Sequence, residues 1–281
     1  MDAQFPHWAG LPLRPVEPAG SDHVIHRLGE DLSVRLPRHA DAAGQADKEA
    51  RWLPRLAPRL PLAVPQPVAV GRPGEGYPWH WAVTRWIPGA TATVEALGES
   101  RTAARQLAGF LGALHRIPVG YGPPAGLGTA GPAAEAAPLA DRDRDTRAAI
   151  AASADVFDAD AMTRLWDAAL DAPGWAGPRV WCHGDLHTGN LLTRDGRLSA
   201  VIDFGELAVG DPAVDLTIAF TLLTPRTRPV FRQALALDAA AWTRGRGWAL
   251  ATGLSAHTAY AATVPRVAAQ TTRQITQALL G

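Results

Sequence analysis

The sequence lacks the residues that hold small extracellular domains together. Cys182 is the only cysteine among 281 residues, so the chain can form neither an intramolecular disulfide nor a zinc site built from cysteines. The simplest role for a lone thiol next to a strand is that of a small buried hydrophobic side chain. We therefore expect Cys182 to be structural and not a nucleophile.

Long apolar runs and a basic leader are also missing. Residues 1–20 contain no basic region followed by an apolar run, which argues against a signal peptide. No run approaches the roughly 18 apolar residues that a membrane-spanning helix needs. The formal net charge is zero, so the sequence has no basic footprint for nucleic acid or an anionic membrane. We expect a cytoplasmic protein that binds neither nucleic acid nor a membrane.

Several common catalytic signatures are absent. The sequence contains no G-x-x-x-x-G-K-[ST] and no G-x-G-x-x-G, so neither a P-loop nor a dinucleotide-binding fold is supported. It also lacks the G-x-S-x-G nucleophile elbow of many hydrolases. Any nucleotide chemistry must therefore use a different constellation of residues.

The composition is that of a folded protein, with 47% hydrophobic and 19% charged residues. The charge is unevenly spread, because residues 135–215 hold fifteen Asp and Glu against seven Arg. From residue 216 onward, Asp238 stands alone against seven Arg. A length of 281 residues suits two modest domains or one large one.

The first ninety residues are predicted to form a small strand-rich unit. Residues 23–28 and 32–36 alternate apolar and polar side chains around a Gly-Glu-Asp turn. Further strands are predicted at 68–70 and 81–87. One short helix is predicted at 48–56, and Pro54 should kink it or end it early.

The remainder is predicted to be mostly helical. A Gly-, Pro- and Ala-rich connection at 118–140 follows the first long helix. The apolar spacing predicts helices at 99–115, 145–152, 160–170, 212–222, 226–237, 241–262 and 265–280. The fold class expected from this order is α+β, with a small mixed lobe followed by a larger helical lobe.

Polar residues are concentrated in residues 181–216, between short apolar runs. Two predicted strands end in His183-Gly-Asp and Asp203-Phe-Gly, and Asp195-Gly196 is a hairpin signal between them. Asn190 and Asp203 offer the hard oxygen ligands that suit Mg²⁺. Asp185 can accept the proton of an attacking hydroxyl. One base, two metal ligands and a hairpin between them indicate phosphoryl transfer.

A metal hydrolase is the competing interpretation, with His183, Asp185 and His187 as zinc or iron ligands. Such a site needs several imidazole side chains placed around one metal ion. The other candidates, His115 and His257, do not occur in a closely spaced pair of histidines.

Simpler roles also exist for the residues around the predicted site. His183 would fix the loop by hydrogen bonds, and His187 would support the loop or face solvent. Asp211 would cap the helix that begins at Pro212, and Asp215 would anchor the loop through a buried polar contact. Glu206 is either a surface residue or a side chain that faces the cleft.

Three motifs in order resemble the aminoglycoside phosphotransferase family, which has the protein-kinase-like fold. They are H-G-D-L-H-T-G-N at 183–190, I-D-F-G at 202–205 and G-D-P-A-V-D at 210–215. The likeness extends to V-R-L-P-R at 34–38, K-E at 48–49 and R-W-I-P-G at 85–89. It covers roughly residues 15–260 and implies a nucleotide-binding lobe at 1–88 and a helical lobe at 89–281.

The resemblance assigns roles to individual residues. Asp185 matches the catalytic base, and Asn190 and Asp203 match the Mg²⁺ ligands. Glu49 matches the helix glutamate that pairs with a strand cation, which is Arg35 where many members have lysine. The predicted nucleotide contacts are completed by Ser21, in the turn at 20–23 over the phosphates, and by the hinge residues Arg85, Trp86 and Ile87.

The implied activity is transfer of the γ-phosphate of ATP or GTP to a hydroxyl of a small molecule, with Mg²⁺, by a monomer or dimer. The acidic excess favours a cationic antibiotic such as an aminoglycoside, with Glu206, Asp145 and Asp155 as candidate acceptor contacts. Interleaved arginines leave open that these acids form a solvated face. Other acceptors, of macrolide, peptide-antibiotic, choline or homoserine type, and a nucleotide-binding pseudokinase are the alternatives.

Overall fold

A computed structural model describes residues 1–17, 20–119 and 136–281 of the chain. Its first lobe is built on a five-stranded antiparallel sheet of order β1-β2-β3-β5-β4. The strands are β1 (Leu13–Pro15), β2 (His23–Leu28), β3 (Leu32–Pro37), β4 (Pro67–Gly71) and β5 (Trp81–Arg85). The predicted hairpin is confirmed: β2 pairs with β3 from His23↔Pro37 to Leu28↔Leu32.

One helix, α1 (Gln45–Leu56), accompanies this sheet. It starts three residues earlier than predicted and contains Pro54, so the expected early end is wrong. Pro54 has no N–H to donate to the Ala50 carbonyl, yet the chain stays helical through Leu56 and a 3-10 turn (Ala57–Arg59) follows directly. The buried side chains of Trp52, Leu53 and Leu56 hold this turn in place. Helix α1 buries Trp52 against Trp181 of the larger lobe, with ring centroids 4.8 Å apart. The helix therefore joins the two lobes.

The larger lobe is mainly helical, and the α+β expectation is confirmed. Its helices are α2 (Val94–Leu97), α3 (Arg101–His115), α4 (Asp143–Ala152), α5 (Ala159–Asp171), α6 (Ile218–Thr221), α7 (Arg228–Leu235), α8 (Ala239–Tyr260) and α9 (Pro265–Leu280). The helix predicted at 212–222 is instead a 3-10 helix (Pro212–Thr217) followed by α6. Such tighter winding is common at the start of a helix. Most of the connection predicted at 118–140 lies outside the described residues.

Two small sheets contribute buried side chains to the core of the larger lobe. Strands β6 (Ala90–Thr91), β8 (Leu191–Arg194) and β9 (Arg197–Val201) form one, and the predicted hairpin turn joins β8 to β9. Strands β7 (Val180–Cys182) and β10 (Ala208–Gly210) form the other. The two chain segments with the predicted catalytic residues leave these sheets on the side that faces β3 and α1.

The main apolar core lies in the larger lobe. It includes the fully buried side chains of Phe110, Trp166, Phe204 and Phe231. A smaller cluster, centred on Val34, Trp81 and Val83, lies under the five-stranded sheet. Within the described ranges, no helix is both long and apolar enough to cross a bilayer.

Candidate active site

The catalytic loop (residues 183–190) and the turn at 203–206 are fastened to each other by their backbones. The Ile202 N–H donates to the Asn190 carbonyl at 2.9 Å. His183 Nε2 lies 3.0 Å from the Ile202 carbonyl, and His183 Nδ1 accepts from the Asp185 N–H at 3.3 Å. Both ring nitrogens of His183 are thus used inside the protein, which fits the predicted support role and leaves neither for a metal.

Asp185 lies at the open end of this loop, with about half of its side chain exposed (53%). Asn190 Nδ2 donates to the Asp185 carbonyl at 2.8 Å and to Asp185 Oδ2 at 3.2 Å. Burial opposes ionisation of Asp185, but its contacts with His187, His183 and Asn190 hold the pKa of the carboxyl below its ordinary value. The group is therefore an anion at neutral pH, as a proton acceptor must be.

Asp203 is held in an unusual backbone conformation. Its φ of +63° lies in the left-handed region, which residues other than glycine seldom adopt. Its Oδ1 accepts from Arg35 Nη2 at 3.1 Å. Burial alone would raise the pKa of Asp203. The nearby charges, Arg35 first, lower it by more, so the pKa lies below its ordinary value. Strain of this kind persists where surrounding contacts enforce it, and it is typical of functional sites.

Arg35 and Glu49 form the buried centre of the nucleotide side. Arg35 Nη1 donates to both Glu49 oxygens, at 2.9 and 2.7 Å, and Glu49 Oε1 also accepts from the Phe204 N–H at 3.0 Å. Burial alone would lower the pKa of Arg35, but Glu49 and Asp203 raise it above its ordinary value. The structure thus shows the Arg35–Glu49 pair that the resemblance implies, and it adds a contact between Arg35 and Asp203 that was not predicted.

The residues predicted to bind Mg²⁺ have suitable free oxygens. Asn190 uses its Nδ2 toward Asp185, which leaves its Oδ1, and Asp203 uses Oδ1 toward Arg35, which leaves its Oδ2. Mg²⁺ needs only one or two protein ligands beside phosphate and water oxygens. Among the described residues, no three His, Cys, Asp or Glu come together around a metal position. The donor set therefore fits Mg²⁺ and does not support the zinc or iron hydrolase.

Asp215, which is buried, and Asp211, which is partly buried, support the catalytic loop and the helix that follows it. Asp215 accepts from the N–H groups of His183 (3.1 Å) and Gly184 (2.9 Å), and it also contacts His115 at 3.3 Å. Asp211 accepts from the Ala213 N–H at 3.0 Å, as predicted for a helix cap, and from Arg244 Nε at 2.6 Å. The sequence analysis missed His115 and Arg244 in these roles because no local pattern links them to the loop.

Cys182 is buried just before the catalytic loop. Burial and the nearby Asp215 and Asp211 raise the pKa of its thiol. The thiol therefore stays protonated, in keeping with the expected structural role.

The turn predicted to lie over the phosphates is organised by Asp22. Ser21 Oγ donates to Asp22 Oδ1 at 2.8 Å, so the Ser21 hydroxyl is engaged within the turn. Gln45 Nε2 at the start of α1 donates to Asp22 Oδ2 at 3.0 Å. The next residue, His23, is buried, and burial together with Arg35 lowers its pKa to about 4. His23 is therefore neutral at pH 7.

Glycine is required at Gly184, on the opposite side of this cleft, because its φ is +86° and a side chain there would lie 2.5 Å from the Glu206 carbonyl. A side chain at Gly205 would lie 2.4 Å from Oε1 at the end of the Gln45 side chain, which would have to move. Lys48 of α1, the only lysine of the chain, donates to the Gly205 carbonyl. The sequence analysis did not assign Lys48 a role, and only the packing of α1 against the 203–206 turn reveals its contact.

The hinge residues offer fewer free groups than expected. The Arg85 N–H donates to Gln66 at 2.9 Å and the Trp86 N–H donates to Asp31 at 2.8 Å. The Trp86 ring stacks against the Arg27 guanidinium, 4.4 Å away. In the part of the chain that the structure describes, the Ile87 N–H has no backbone partner. Of the three predicted hinge donors, Ile87 is the one available to a nucleotide base.

The candidate acceptor residues are not gathered around Asp185. Glu206 is exposed and adjoins Gly184 of the catalytic loop. Asp145 lies on α4, with its carboxylate 2.9 Å from Arg144 of the same helix. Asp155 is exposed in the turn between α4 and α5. Only Glu206 is thus placed next to the predicted base.

Comparisons with known proteins identify the family of this chain. The model of the phosphotransferase enzyme family matches residues 13–274. An aminoglycoside 3'-phosphotransferase of Streptomyces fradiae is 30% identical over an alignment of 225 positions, with 73% of this chain and 74% of that protein covered.

Two solved structures extend the likeness to nearly the whole chain. The macrolide 2'-phosphotransferase MphH of Brachybacterium faecium is 25% identical and has a TM-score of 0.64, with 98% of this chain and 97% of that one covered. The GDP complex of an aminoglycoside 2'-phosphotransferase-IIIa has a TM-score of 0.72 at 18% identity, with 99% and 96% covered, and shows the shared fold. This chain therefore belongs to the phosphotransferase enzyme family, and it is a phosphotransferase with the α+β, protein-kinase-like fold.

Proposed function

We propose that this enzyme transfers the γ-phosphate of ATP or GTP to a hydroxyl group of an antibiotic, with an aminoglycoside as the preferred acceptor class. The observation that carries the proposal is the arrangement of the catalytic loop. Asp185 and Asn190 share a hydrogen bond there, opposite an Asp203 that is held by the Arg35–Glu49 pair.

The proposed roles follow from the free atoms of the site. Asp185 would orient the acceptor hydroxyl and take its proton, while Arg35 would steady the phosphates from the floor of the cleft. Asn190 and Asp203 would hold Mg²⁺, which neutralises phosphate charge when it is bound. The site supplies positioning and fixed charges, which are the main sources of rate in phosphoryl transfer.

The nucleotide would enter between the lobes, in our proposal between the units at 1–88 and 89–281. The Ile87 N–H would meet the base, and the turn with Ser21 would cover the phosphates. A cytoplasmic location, where both nucleotides are available, is part of the proposal, as is action as a monomer or dimer without nucleic acid.

Two observations support an antibiotic acceptor. The relative that is 30% identical is an aminoglycoside 3'-phosphotransferase, and the acidic excess at 135–215 would attract a polycationic acceptor. The 25% identity with a macrolide 2'-phosphotransferase over nearly the whole chain makes a macrolide hydroxyl the second candidate. Glu206, Asp145 and Asp155 would contribute to the acceptor side.

The test is incubation with ATP or GTP against a panel of aminoglycosides, macrolides, peptide antibiotics, choline and homoserine. Mass spectrometry would read the addition of one phosphate. Phosphorylation of an aminoglycoside supports the proposal, and a macrolide product alone moves the assignment to the second candidate. Tight nucleotide binding without any transfer would instead identify a pseudokinase.

The role of Asp185 is tested by Asp185→Asn, which should lower kcat by about a thousandfold or more because the hydroxyl loses its proton acceptor. Mg-nucleotide affinity, measured by calorimetry, should stay nearly unchanged. Asp195→Asn is the matched control, since it makes the same chemical change in an exposed hairpin turn with φ of +53°, which Asn tolerates. Asp203→Asn should instead weaken Mg-nucleotide binding. Near-normal transfer by Asp185→Asn would refute the assignment of the base.

A further inference from the structure

His187, two residues after Asp185, has a fixed protonation pattern. Its Nδ1 accepts from the Gly189 N–H at 3.0 Å. Because a backbone N–H only donates, Nδ1 must carry the lone pair, and the proton of the neutral ring is then on Nε2. Nε2 lies 3.6 Å from Asp185 Oδ2. The loop backbone thus turns an N–H group toward the proposed base.

A second donor reaches the same Nδ1 atom from the end of the chain. Gln270 of α9 places its Nε2 3.3 Å from His187 Nδ1, across 83 positions of sequence. Helix α9 is firmly docked, because Arg273 donates to the carbonyl of Thr221 at 3.2 Å and the buried Gln274 donates to that of Ala249 at 2.7 Å. Gln270 is therefore presented to the catalytic loop by a fixed element.

The contacts divide the two oxygens of Asp185 into different roles. Oδ2 faces Asn190 Nδ2 at 3.2 Å and His187 Nε2 at 3.6 Å. Over the described ranges, Oδ1 has no hydrogen-bond partner, and about half of the Asp185 side chain is exposed. A carboxylate held through one oxygen presents the other in a defined direction, which leaves Oδ1 available to an acceptor hydroxyl.

We propose that His187 and Gln270 are positioning residues: helix α9, together with the Gly189 N–H, holds the tautomer of His187 and thereby the orientation of the Asp185 carboxylate. Asp185 Oδ1 is then the atom that receives the proton of the acceptor hydroxyl. This inference rests on the proposed function for its catalytic consequence. Its structural part, the tautomer, stands independently.

The structural part is tested by nitrogen-15 NMR of the full chain without ligands. The two-bond proton–nitrogen pattern of His187, assigned by its loss in His187→Gln, distinguishes a protonated Nε2 from a protonated Nδ1. The expected result for the wild type is the Nε2–H tautomer, and Gln270→Leu should raise the fraction with Nδ1–H. A wild-type ring protonated on Nδ1 would overturn the proposal, whether or not any acceptor is phosphorylated.

The catalytic part is tested by kinetics with the best acceptor of the panel. His187→Leu should lower kcat by about tenfold with little change in the nucleotide KM, as is common when a group that orients a site residue is lost. His187→Gln, whose amide N–H can take the place of Nε2–H, should restore kcat to within about threefold of the wild type, the size of one neutral hydrogen bond.

Gln270→Leu should reduce kcat by about threefold, because the Gly189 N–H still holds His187. Thr272→Val, an exposed change on the same helix, is the control and should match the wild type. Equal kcat values for Gln270→Leu and Thr272→Val would refute the role of α9. A failure of every variant and of the wild type to phosphorylate any acceptor would contradict the proposed function and leave the NMR result to decide the tautomer.

Discussion

The charged residues proposed for the two substrates are arranged in opposite ways. At the proposed nucleotide site, Arg35 and Glu49 are buried and joined by two short hydrogen bonds, with Asp203 attached at 3.1 Å. The proposed acceptor residue Asp145 and its partner Arg144, both on α4, are instead exposed, with 75% and 92% of their side chains accessible. The first group is a buried ion network and the second is an exposed charged pair.

This difference indicates where the enzyme is committed in advance. Buried charges tolerate no loss of a partner, which suits a site that we propose binds the nucleotide, the group that every reaction shares. Exposed pairs contribute little and are screened by salt, so the proposed acceptor residues would act on a cationic ligand by long-range attraction. Acceptor identity should therefore depend on few strong contacts, whereas nucleotide binding should depend on a rigid set.

The largest effect is expected from breaking the buried pair. Glu49→Leu should cost about 3–5 kcal/mol in the free energy of unfolding, because Arg35 is left buried without its main partner. The double variant Arg35→Met/Glu49→Leu should recover much of that stability without recovering Mg-nucleotide affinity. Urea unfolding and calorimetry measure the two quantities.

The control for this experiment is Arg147→Leu, which breaks exposed pairs with Asp143 on α4 and Asp167 on α5. Its free energy of unfolding should fall by less than about 1 kcal/mol. If the single Glu49 variant were as stable as this control, the proposed nucleotide site would not be the rigid part of the molecule.

The next effect concerns His23, which is buried beside Arg35. Its folded pKa of about 4 lies below the ordinary value of 6.5, so the unfolded chain takes up a proton first as the pH falls. Between pH 7.5 and 5 this group should therefore remove about 2 kcal/mol of stability.

His23→Asn should flatten this pH dependence, and urea unfolding at the two pH values measures the difference. The depressed carboxyl groups Asp185 and Asp203 add nothing in this window, since their pKa values lie below 3.8. Contacts with Asp185 outweigh burial and raise the pKa of His187, which adds stability as the pH falls. This contribution is the same in the wild type and in His23→Asn, so it does not affect their difference. Identical slopes for wild type and variant would show that His23 does not stay neutral.

A smaller effect is expected at Lys48. Lys48→Met keeps the aliphatic stem but removes the donor to the Gly205 carbonyl, and it should cost about 1 kcal/mol of stability. Because the contact joins α1 to the 203–206 turn, Mg-nucleotide affinity should fall by a similar amount. Lys48→Arg, which keeps the charge, should have a stability and an affinity between those of the wild type and Lys48→Met. An unchanged Mg-nucleotide affinity in Lys48→Met would show that the contact from α1 does not influence the proposed metal site in the 203–206 turn.

The smallest effects are expected on the acceptor side. Asp145→Asn should change kcat/KM for a cationic acceptor by less than about twofold, and the change should vanish at high salt. Glu206→Gln, next to the catalytic loop, should raise the acceptor KM by about threefold to fivefold with an unchanged nucleotide KM. A larger effect at Asp145 than at Glu206 would show that the exposed residue on α4, and not the residue next to the catalytic loop, contacts the acceptor.

Much of the fold could be predicted from local patterns. The β2–β3 hairpin follows from period-two alternation around a turn, and α9 was predicted with its exact bounds because Pro265 marks its start. The error at Pro54 arose because propensity near a helix end is weaker than packing. The pairing of β7 with β10 was not predicted, since strands of three residues carry too little pattern.

The site shows the same division between local and distant information. The catalytic loop and the turn after Ile202 were identified because their motifs are contiguous. The predicted roles of Asp185, Asn190 and Asp203 remain predictions for the experiments above. The contacts of Lys48, His115, Arg244 and Gln270 were out of reach, because each joins residues far apart in sequence through side chains of variable length.

The sequence by itself determined which chemical groups are available: a carboxylate base, two hard oxygen ligands and a strand cation, each on a segment with clear local preferences. Only the tertiary structure decided how they meet. Arg35 reaches Asp203 across 168 positions, and α9 returns Gln270 to the catalytic loop. The physical reason is that side-chain spacing fixes periodicity within one element, whereas the distance between two elements is set by how their apolar faces pack.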